Sequence, residues 1–381
     1  VKRVIKAIKI RLFPTNEQEI LMRKSCGIAR FAYNWGLARW EEMYQQGLVP
    51  TKGAIKKEFN QTVKRLDEFK WLYEVSAQVT AQAFEDLNQA YQYFFKGIQQ
   101  KPQFKTKKRA RKSFYVRYDA LKFKDSTVNI EKIGKVKYKT NYKIPKLNKY
   151  ANPRCSFDGK YWYLAFGFEQ DENKVMLDKS LHVGIDLGIK YLAVVNCLEE
   201  PIENINKTAE MKRLKKKLIR LQRQVSRKYE MNKCEGSFVK TKNILKTEQQ
   251  IKLVYRRLTN IRTNHIHQAT KAIIKLKPAC VVMEHLNIRG MLKNKYLAGA
   301  IQEQKLYEFI RQMKYKCTFD GIEFIQADRF YSSSKICSNC GVKKQKLKLD
   351  ERIFTCDICG ISIDRDKNAS INLANYKLRL N

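Results

Sequence analysis

Two pairs of cysteines set the strongest constraint on how this chain can fold. They are Cys337, Cys340, Cys356 and Cys359. Each pair has the spacing CxxC, and fifteen residues separate the pairs. Two such turns can place four thiolates around one ion, and this spacing is a specific signature of a tetrahedral zinc site. Gly341 and Gly360 follow the pairs, where a knuckle favours a residue that tolerates positive φ. The alternative, two redox-active CxxC motifs, needs a thioredoxin-like βαβ pattern that the sequence lacks. We therefore predict one structural Zn²⁺, because four sulfur ligands leave no open position for catalysis.

The charge of the chain indicates what it binds. Lys and Arg number 77 and Asp and Glu 37, which gives a net charge of +40 over 381 residues. A protein this basic repels itself unless it holds a polyanion, so nucleic acid is the first hypothesis. A membrane surface is the alternative, but the basic residues run through every segment instead of along one amphipathic helix.

The apolar segments argue against a secreted or membrane protein. No apolar run approaches the roughly 18 residues of a membrane span, and Lys and Arg interrupt residues 1–14 too often for a signal peptide. The other six cysteines are scattered, which suits free thiols in a reducing compartment. We expect a cytoplasmic, nucleoid-associated protein.

Changes in hydrophobic periodicity divide the chain into three regions. Residues 1–13 alternate basic and apolar side chains as a strand does, and Thr15 then begins a helix with an approximate capping box. Residues 14–100 have helical periodicity. Residues 101–178 contain short aromatic and β-branched segments, which predict a β-domain that the first strand can join. The helical region would then be an insertion in that β-domain. Two apolar stripes are expected to face its core: Ile28, Phe31, Trp35 and Ala38 on one helix, and Val79, Ala83, Leu87 and Tyr91 on another.

The third region, residues 179–381, alternates strands with helices, which predicts an α/β sheet. A strand pair turns at Gly188, and two long basic helices follow at about 207–229 and 245–276. A strand ACVVME, a helix near 298–316, a strand EFIQA, the cysteine segment and a terminal helix complete the region.

Three acidic residues stand where such a sheet would bring them together. Asp186 and Glu284 each end an apolar strand, and Asp366 lies just before the terminal helix. An ionised carboxylate in apolar surroundings needs a partner, and Mg²⁺ takes oxygen ligands. Each acid alone has a structural alternative as a turn residue, an ion pair or a helix cap. Together they predict a two-metal site for phosphodiester cleavage, with Asp364 as the competitor for the third position.

Basic segments are expected to contact the nucleic acid. The segment QKPQFKTKKRARKSFYVRY interleaves basic residues with Phe and Tyr, which suits phosphate contacts and base stacking. The long helices carry basic residues on most faces, which phosphates on several sides explain more simply than a solvated surface does. The candidate residues are Lys105, Lys107, Arg109, Arg111, Arg220, Arg223 and Arg227.

Motifs along the whole chain resemble those of the TnpB (OrfB) proteins encoded by bacterial and archaeal insertion sequences. They include RLFPTNEQE, RFAYNWGL, PQFKTKKRARKSF, GIDLGIKYLAV, RLQRQVSRK, VVMEHLNIRGM, YSSSKICSNCG and DRDKNASINLA. The last five resemble the RuvC-like nuclease blocks and the zinc ribbon of that family. Ser370 stands where Ala is usual, a departure that removes no acid.

The resemblance implies a multidomain α+β fold. A helical recognition bundle (14–100) is inserted in a β-barrel-like wedge domain (1–13 and 101–178). A RuvC-like α/β nuclease domain of ribonuclease-H fold follows (179–381) and carries the zinc ribbon (331–362).

The resemblance also implies the activity of a transposable element's RNA-guided DNA endonuclease, related to compact type V CRISPR effectors. Asp186, Glu284 and Asp366 would be the catalytic acids, with Asp186 bridging two Mg²⁺ ions and the other two each holding one. The guide would be an RNA from the element's own end, and the target would be double-stranded DNA beside a short motif. Base pairing would supply the sequence specificity. We expect a monomer with one RNA.

Residues that could contact the short duplex motif lie at the start of a helix and after the basic loop. They are Ser76, Gln78, Gln82, Ser113 and Tyr115. Their alternative roles are a helix N-cap and solvent-facing amides.

Three other functions compete. A compact type V CRISPR effector would differ in the source of its guide. A nuclease-silent RNA-guided DNA-binding repressor would lack one of the acids, and all three are present. A resolvase acting on DNA junctions without RNA would not need the N-terminal half of the chain.

Overall fold

The computed structural model describes residues 3–173, 175–234, 236–348 and 351–377. Residues 1–2 of the predicted first strand and 378–381 of the predicted nuclease domain lie outside the described residues. The chain divides into two compact units, one of residues 5–170 and one of residues 1–4 with 171–381.

The unit of residues 5–170 combines helices with one seven-stranded sheet. Its helices are α1 (Asn16–Gln45), α2 (Lys52–Gln61) and α3 (Ala77–Phe95), with short 3₁₀ helices at Val63–Arg65 and Asp67–Glu74. Its strands are β1 (Arg3–Phe13), β2 (Ser113–Tyr115), β3 (Lys122–Lys124), β4 (Thr127–Ile130), β5 (Gly134–Lys139), β6 (Ala151–Phe157) and β7 (Trp162–Asp171). The sheet order is β2-β6-β7-β1-β5-β4-β3, so the first strand lies in the middle of the sheet.

Local sequence signals explain where the first helix begins. The Thr15 side chain accepts a hydrogen bond from the Gln18 backbone N–H at 3.3 Å, and the Gln18 side chain accepts one from the Thr15 N–H at 3.1 Å. This reciprocal capping box satisfies two N–H groups that the first turn leaves without partners.

One hydrophobic core serves both the helices and the sheet of this unit. Residues from all three helices and from β1, β4, β6 and β7 belong to a single buried cluster. The stripe predicted on α3, from Val79 to Tyr91, is buried as expected. The stripe predicted on α1 is displaced. Ile28 of that stripe is buried as predicted, and Phe31 and Trp35 pack against the same core from partly buried positions, while the most buried face is centred on Ala32, Leu37 and Trp40.

The unit of residues 171–381 contains the predicted α/β sheet. Its strands are β8 (Asp178–Leu187), β9 (Ala193–Val195), β10 (Lys233–Cys234), β11 (Ser237–Phe238), β12 (Pro278–Glu284), β13 (Glu323–Ala327), β14 (Ile353–Thr355) and β15 (Ser362–Asp364). Its helices are α4 (Ala209–Met231), α5 (Lys242–Lys275), α6 (Ile288–Met291), α7 (Ala298–Gln304), α8 (Leu306–Phe319) and α9 (Arg365–Ala374).

The main sheet of this unit has the order β13-β12-β8-β9 and is covered on both faces. Val183 and Ile185 of β8 face a core built with α5 and α8. Val282 of β12 faces the other side, where Leu373 of α9 packs. Burial on both faces explains why β12 is an uninterrupted apolar run.

The predicted helix near 298–316 is wrong in one respect, because the structure divides it into α7 and α8. Lys305, between them, is in the left-handed conformation with φ of 54°. That conformation cannot continue a right-handed helix. The Lys305 ammonium donates to the Thr263 hydroxyl at 2.8 Å, which holds the break against α5.

None of the helices in the described part of the chain combines the length and apolar character that a bilayer crossing requires.

Candidate active site and metal centre

The sheet places Asp186 and Glu284 side by side. Strands β8 and β12 run parallel with Ile185 opposite Met283, so the next residue of each strand is one of the two acids. Side chains alternate between the faces of a sheet. Asp186 therefore points to the same face as Gly184, and this face carries α9.

Gly184 brings α9 unusually close to the sheet. A Cβ at this position would come within 3.0 Å of the Ser370 carbonyl oxygen, the Ala374 nitrogen and the Leu373 carbonyl carbon, all backbone atoms of α9. Only glycine permits this approach. The helix backbone therefore rests on β8, and its first turn, with Asp366, lies next to Asp186.

Polar contacts fix the first turn of α9. The Asp364 carboxylate caps the helix by accepting from the backbone N–H groups of Asp366 and Lys367 at 2.9 and 3.0 Å. The Lys367 ammonium donates to three backbone carbonyls, one at the end of β9 and two just after it, at 2.7–3.3 Å. Asp364 is thus occupied as an exposed N-cap, which leaves Asp366 as the acid beside the sheet.

The acids repel one another. The pKa of Asp186 lies well above its usual range, first because the group is buried and then because Glu284 and Asp366 repel its charge; Arg365 opposes the shift. The pKa of Glu284 is also raised, by burial and by Asp366, while a hydrogen bond from Ser333 opposes the shift. Electrostatic coupling therefore joins three carboxylates from three elements.

Residues that the sequence did not single out also contact these acids. The Ser333 hydroxyl donates to Glu284 Oε1. The guanidinium groups of Arg365 and Arg352 lie 3.6 and 3.8 Å from the Asp366 carboxylate. The first of these arginines adjoins Asp366 in sequence, which is a signal that could have found it. Ser333 and Arg352 carry no such signal, because the fold alone brings them near.

The four cysteines form one cluster. Their Sγ atoms all lie within 4.8 Å of one another, with 3.6 Å between Cys337 and Cys359 and 3.5 Å between Cys340 and Cys356. Zn–S bonds of about 2.3 Å in a tetrahedron place the sulfurs roughly 3.8 Å apart. The cluster therefore fits one zinc ion.

The two knuckles of the cluster have the same backbone form. Gly341 and Gly360 have φ of 77° and 69°, as the sequence predicted, and their N–H groups donate to the carbonyls of Cys337 and Cys356. The Ile361 N–H first, and then the Asn339 side chain, lower the pKa of Cys359 to about 6, which favours the thiolate that binds metal. In the same cluster, burial and contacts with the other three cysteines raise the pKa of Cys340 to about 12, so the thiols differ in acidity before a metal binds.

The residues proposed to contact a duplex motif have different surroundings. Gln82, Ser113 and Tyr115 line one cavity of about 140 Å³. Ser76 is buried, caps α3 and donates to Glu131, as the structural alternative expected. Gln78 is exposed.

Most of the basic candidates are open to solvent. Lys107, Arg109 and Arg111 are exposed, whereas the Lys105 ammonium lies 3.3 Å from the centre of the Tyr33 ring, and burial lowers its pKa. The three arginines of α4 are exposed on the same stripe of the helix, while Leu218 and Leu221 pack on α5. They are Arg220, Arg223 and Arg227.

Comparison with known proteins shows which families the chain is similar to. Three protein-family models match: the helix-turn-helix domain of IS605 OrfB proteins over residues 4–48, the probable transposase of IS605 OrfB over 167–295, and the Cas12f1-like TNB domain over 307–373. The chain is thus similar to the OrfB proteins of IS605 insertion sequences over its N-terminal segment and over residues 167–295.

Relatives of similar length match almost the whole chain. A protein of Streptomyces pristinaespiralis, provisionally named an RNA-guided DNA endonuclease, is 28% identical over 98% of this chain and 89% of its own length. The InsQ protein of Escherichia coli K12, provisionally given the same activity, is 27% identical over 97% of this chain and 91% of its own. The structure of a Cas12f1–guide RNA–target DNA complex shares the fold, with a TM-score of 0.60, 13% identity and coverage of 98% of this chain and 99% of that one.

Proposed function

We propose that this chain is the RNA-guided DNA endonuclease of a transposable element and cuts double-stranded DNA beside a short target-adjacent motif. The convergence of Asp186, Glu284 and Asp366 on one face of the sheet carries the proposal. Burial and the charge of Asp366 raise the pKa values of Asp186 and Glu284, so the acids destabilise the fold unless cations bind to them. A functional site is the simplest reason for a chain of charge +40 to keep them together.

The carboxylates suit hard divalent cations, and we assign them two Mg²⁺ ions. When bound, such ions stabilise the attacking and leaving oxygens of phosphodiester hydrolysis. Asp186, Glu284 and Asp366 would together hold these ions through their carboxylate oxygens. The unit of residues 171–381 would then be a RuvC-like nuclease domain, and the seven-stranded sheet would belong to a barrel-like wedge domain.

The remaining site has a structural role in this proposal. The four cysteines would hold one Zn²⁺ with no open position for substrate. The metal would keep the two knuckles together beside the acidic site.

The charge of the chain fits an RNA guide. A guide–target duplex of about 20 base pairs carries roughly 40 phosphates, comparable with the net charge of +40. The exposed basic residues of α4 and of the loop before β2 would contact phosphates. Gln82, Ser113 and Tyr115 would contact the duplex motif from the cavity that they share. We propose a monomer that holds one RNA from the element's end.

The test is cleavage by the RNA complex purified from cells. Its substrate is a plasmid library with randomised sequence beside a guide-matched target, with Mg²⁺ present. Asp186→Asn should bind the target with unchanged affinity. Its cleavage rate should fall by about 10³-fold, the size of loss expected when metal-based stabilisation of charge is removed. The matched control is Glu323→Gln, which changes an exposed acid at the other end of the same sheet and should cut normally.

The same variant should also show that the acidic site lowers the stability of the protein when no cation is bound. Without divalent cations, Asp186→Asn should unfold at a higher temperature than the wild type, because it removes a carboxyl group whose pKa is raised first by burial and then by the neighbouring acids. Guide-dependent binding with no cutting by either protein would refute the nuclease and leave the repressor. Cutting that persists in Asp186→Asn would refute the assignment of this acid.

A further inference from the structure

We propose that Ser333 is a positioning residue for Glu284, held in place by a strap of residues 331–338 that lies on α9. The inference rests on the proposed nuclease function and adds a residue to its machinery. Ser333 is not an acid, and it lies on the connection between β13 and the first cysteine knuckle.

Ser333 contacts Glu284 directly from a buried position. Only 2% of the residue is exposed, and its hydroxyl donates to Glu284 Oε1. The other carboxylate oxygen, Oε2, is then left for a cation. A hydrogen bond to one oxygen fixes the rotation of the carboxylate, which otherwise turns freely about its last bond.

Side chains of α9 hold the strap that carries Ser333. The Asn372 amide donates to the carbonyls of Ser333 and Ile336 at 2.8 and 2.6 Å. The Asn368 amide donates to the Ile336 carbonyl at 2.8 Å and accepts from the Ser338 N–H at 2.9 Å. Both asparagines are fully buried, so water does not compete for these bonds.

An aromatic contact adds to the strap. The Tyr331 hydroxyl donates to the Asn372 carbonyl at 3.2 Å, and its ring lies 4.7 Å from that of Tyr376, centre to centre. Ser333 is thus fixed to α9 on both sides in sequence.

This arrangement links two acids that different elements carry. Asp366 is in the first turn of α9, whereas Glu284 ends strand β12. Through Ser333, the Glu284 carboxylate takes its orientation from the helix that carries Asp366. The two acids can therefore keep their relative geometry before any cation arrives, which lowers the entropy lost on binding.

The experiment measures metal binding and cleavage separately. Ser333→Ala is compared with the wild type in the complete RNA complex. Mn²⁺ binding is followed by electron paramagnetic resonance, and the cleavage rate is followed across a Mg²⁺ titration. Loss of a hydrogen-bonding partner of a metal ligand typically costs 10- to 100-fold in metal affinity. The Mn²⁺ dissociation constant and the half-saturating Mg²⁺ concentration should both rise by about that factor, with target binding unchanged.

The neighbouring serines provide matched controls. Ser332→Ala and Ser334→Ala remove the same atom from adjacent half-buried positions and should leave both titrations unchanged. Ser333→Thr keeps the hydroxyl and should restore most of the affinity. If Ser333→Ala fails to fold, as its thermal transition would show, Ser333→Cys replaces the hydroxyl by a weak donor of similar size. It should then show the same loss of metal affinity.

Three outcomes would overturn the positioning role of Ser333. A folded Ser333→Ala or Ser333→Cys complex with wild-type metal affinity overturns the positioning role while the wild-type nuclease stands. Equal losses in the Ser332 and Ser334 variants overturn it as well, because the effect would then belong to the loop. A wild type that binds no Mn²⁺ and cuts nothing overturns the nuclease proposal, and the role of Ser333 falls with it.

Discussion

Replacing Gly184 with alanine should separate α9 from the sheet. The three atoms nearest the added methyl group all belong to the backbone of α9, which cannot move away as a flexible side chain can. Ordinary van der Waals contact needs 3.4–4 Å, whereas the methyl group would come within 3.0 Å of three atoms. The helix must therefore retreat or β8 must bend.

The magnitude follows from the position of the clash. Overpacking a core typically costs about 1–3 kcal/mol, and a clash with three backbone atoms belongs at or above the upper end. A loss of about 3 kcal/mol lowers the melting temperature of a unit of this size by roughly 6–12 °C. A displacement of about 1 Å at a reacting centre costs about 10²-fold in rate, and Asp366 moves with the helix.

The assay compares Gly184→Ala with Gly299→Ala in the RNA complex. Gly299 lies in α7 of the same unit, and a Cβ there meets nothing within 4 Å. Alanine should therefore leave cutting unchanged and raise stability by up to about 1 kcal/mol. Thermal unfolding, target binding and plasmid cleavage are measured on both variants. A Gly184→Ala complex that melts and cuts like the wild type would refute the close approach of α9 to β8, and with it the placement of Asp366.

Further predictions concern the zinc cluster, an ion pair and the basic helix. Cys340→Ser should lose about one Zn²⁺ per chain by elemental analysis, whereas Cys197→Ser, an exposed thiol outside the cluster, should retain it. Asp86 accepts two hydrogen bonds from Arg154 that lower its pKa although burial opposes them, so Asp86→Asn should destabilise the protein by about 1–2 kcal/mol at pH 7. Because that pKa is depressed, the stabilisation exists above the unfolded value near 3.9 and is lost as the pH falls through the folded value; equal wild-type and variant stabilities at pH 7 would contradict this. Replacing the three α4 arginines with glutamine should reduce the salt dependence of nucleic-acid binding, its log–log slope, by about 2–3, and an unchanged slope would show that α4 makes no phosphate contacts. The three are Arg220, Arg223 and Arg227.

Local patterns predicted the elements well. The alternation in β1, the capping box at Thr15 and the apolar stripe of α3 depend on neighbours in sequence, and the structure contains each of them. The cysteine cluster was predictable for the same reason, since the spacing within each pair fixes its knuckle.

Local patterns were poorer predictors of features that depend on contacts between distant parts of the chain. On α1, the large side chains Phe31 and Trp35 suggested the wrong centre for the buried face. Ala32 is fully buried there, and Gly36 lies so close to Phe84 of α3 that a Cβ would come within 3.0 Å of its ring. The sequence did not predict the break at Lys305, because lysine has a high helix propensity. The left-handed turn there goes with a tertiary contact, the hydrogen bond from Lys305 to Thr263.

The acidic site includes features that the sequence predicted and features that only the structure shows. Their positions at strand ends made Asp186 and Glu284 visible in the sequence. The sequence did not decide between Asp364 and Asp366. The structure does, because the Asp364 carboxylate accepts hydrogen bonds as the N-cap of α9. Ser333 could not be found from sequence, since its significance lies in a contact across 49 residues.

The packing of α9 against Gly184 also determines when the acidic site can assemble during synthesis. Roughly 190 residues separate Gly184 from Ser370, and at about 5–20 residues per second a ribosome needs roughly 10–40 s to make them. Throughout that interval β8 is present without the helix that covers it, and Asp366 does not yet exist. The nascent chain therefore cannot assemble the three acids, however early the rest of the sheet forms. A nuclease of the proposed kind would thus stay inactive until the ribosome has passed Asp366.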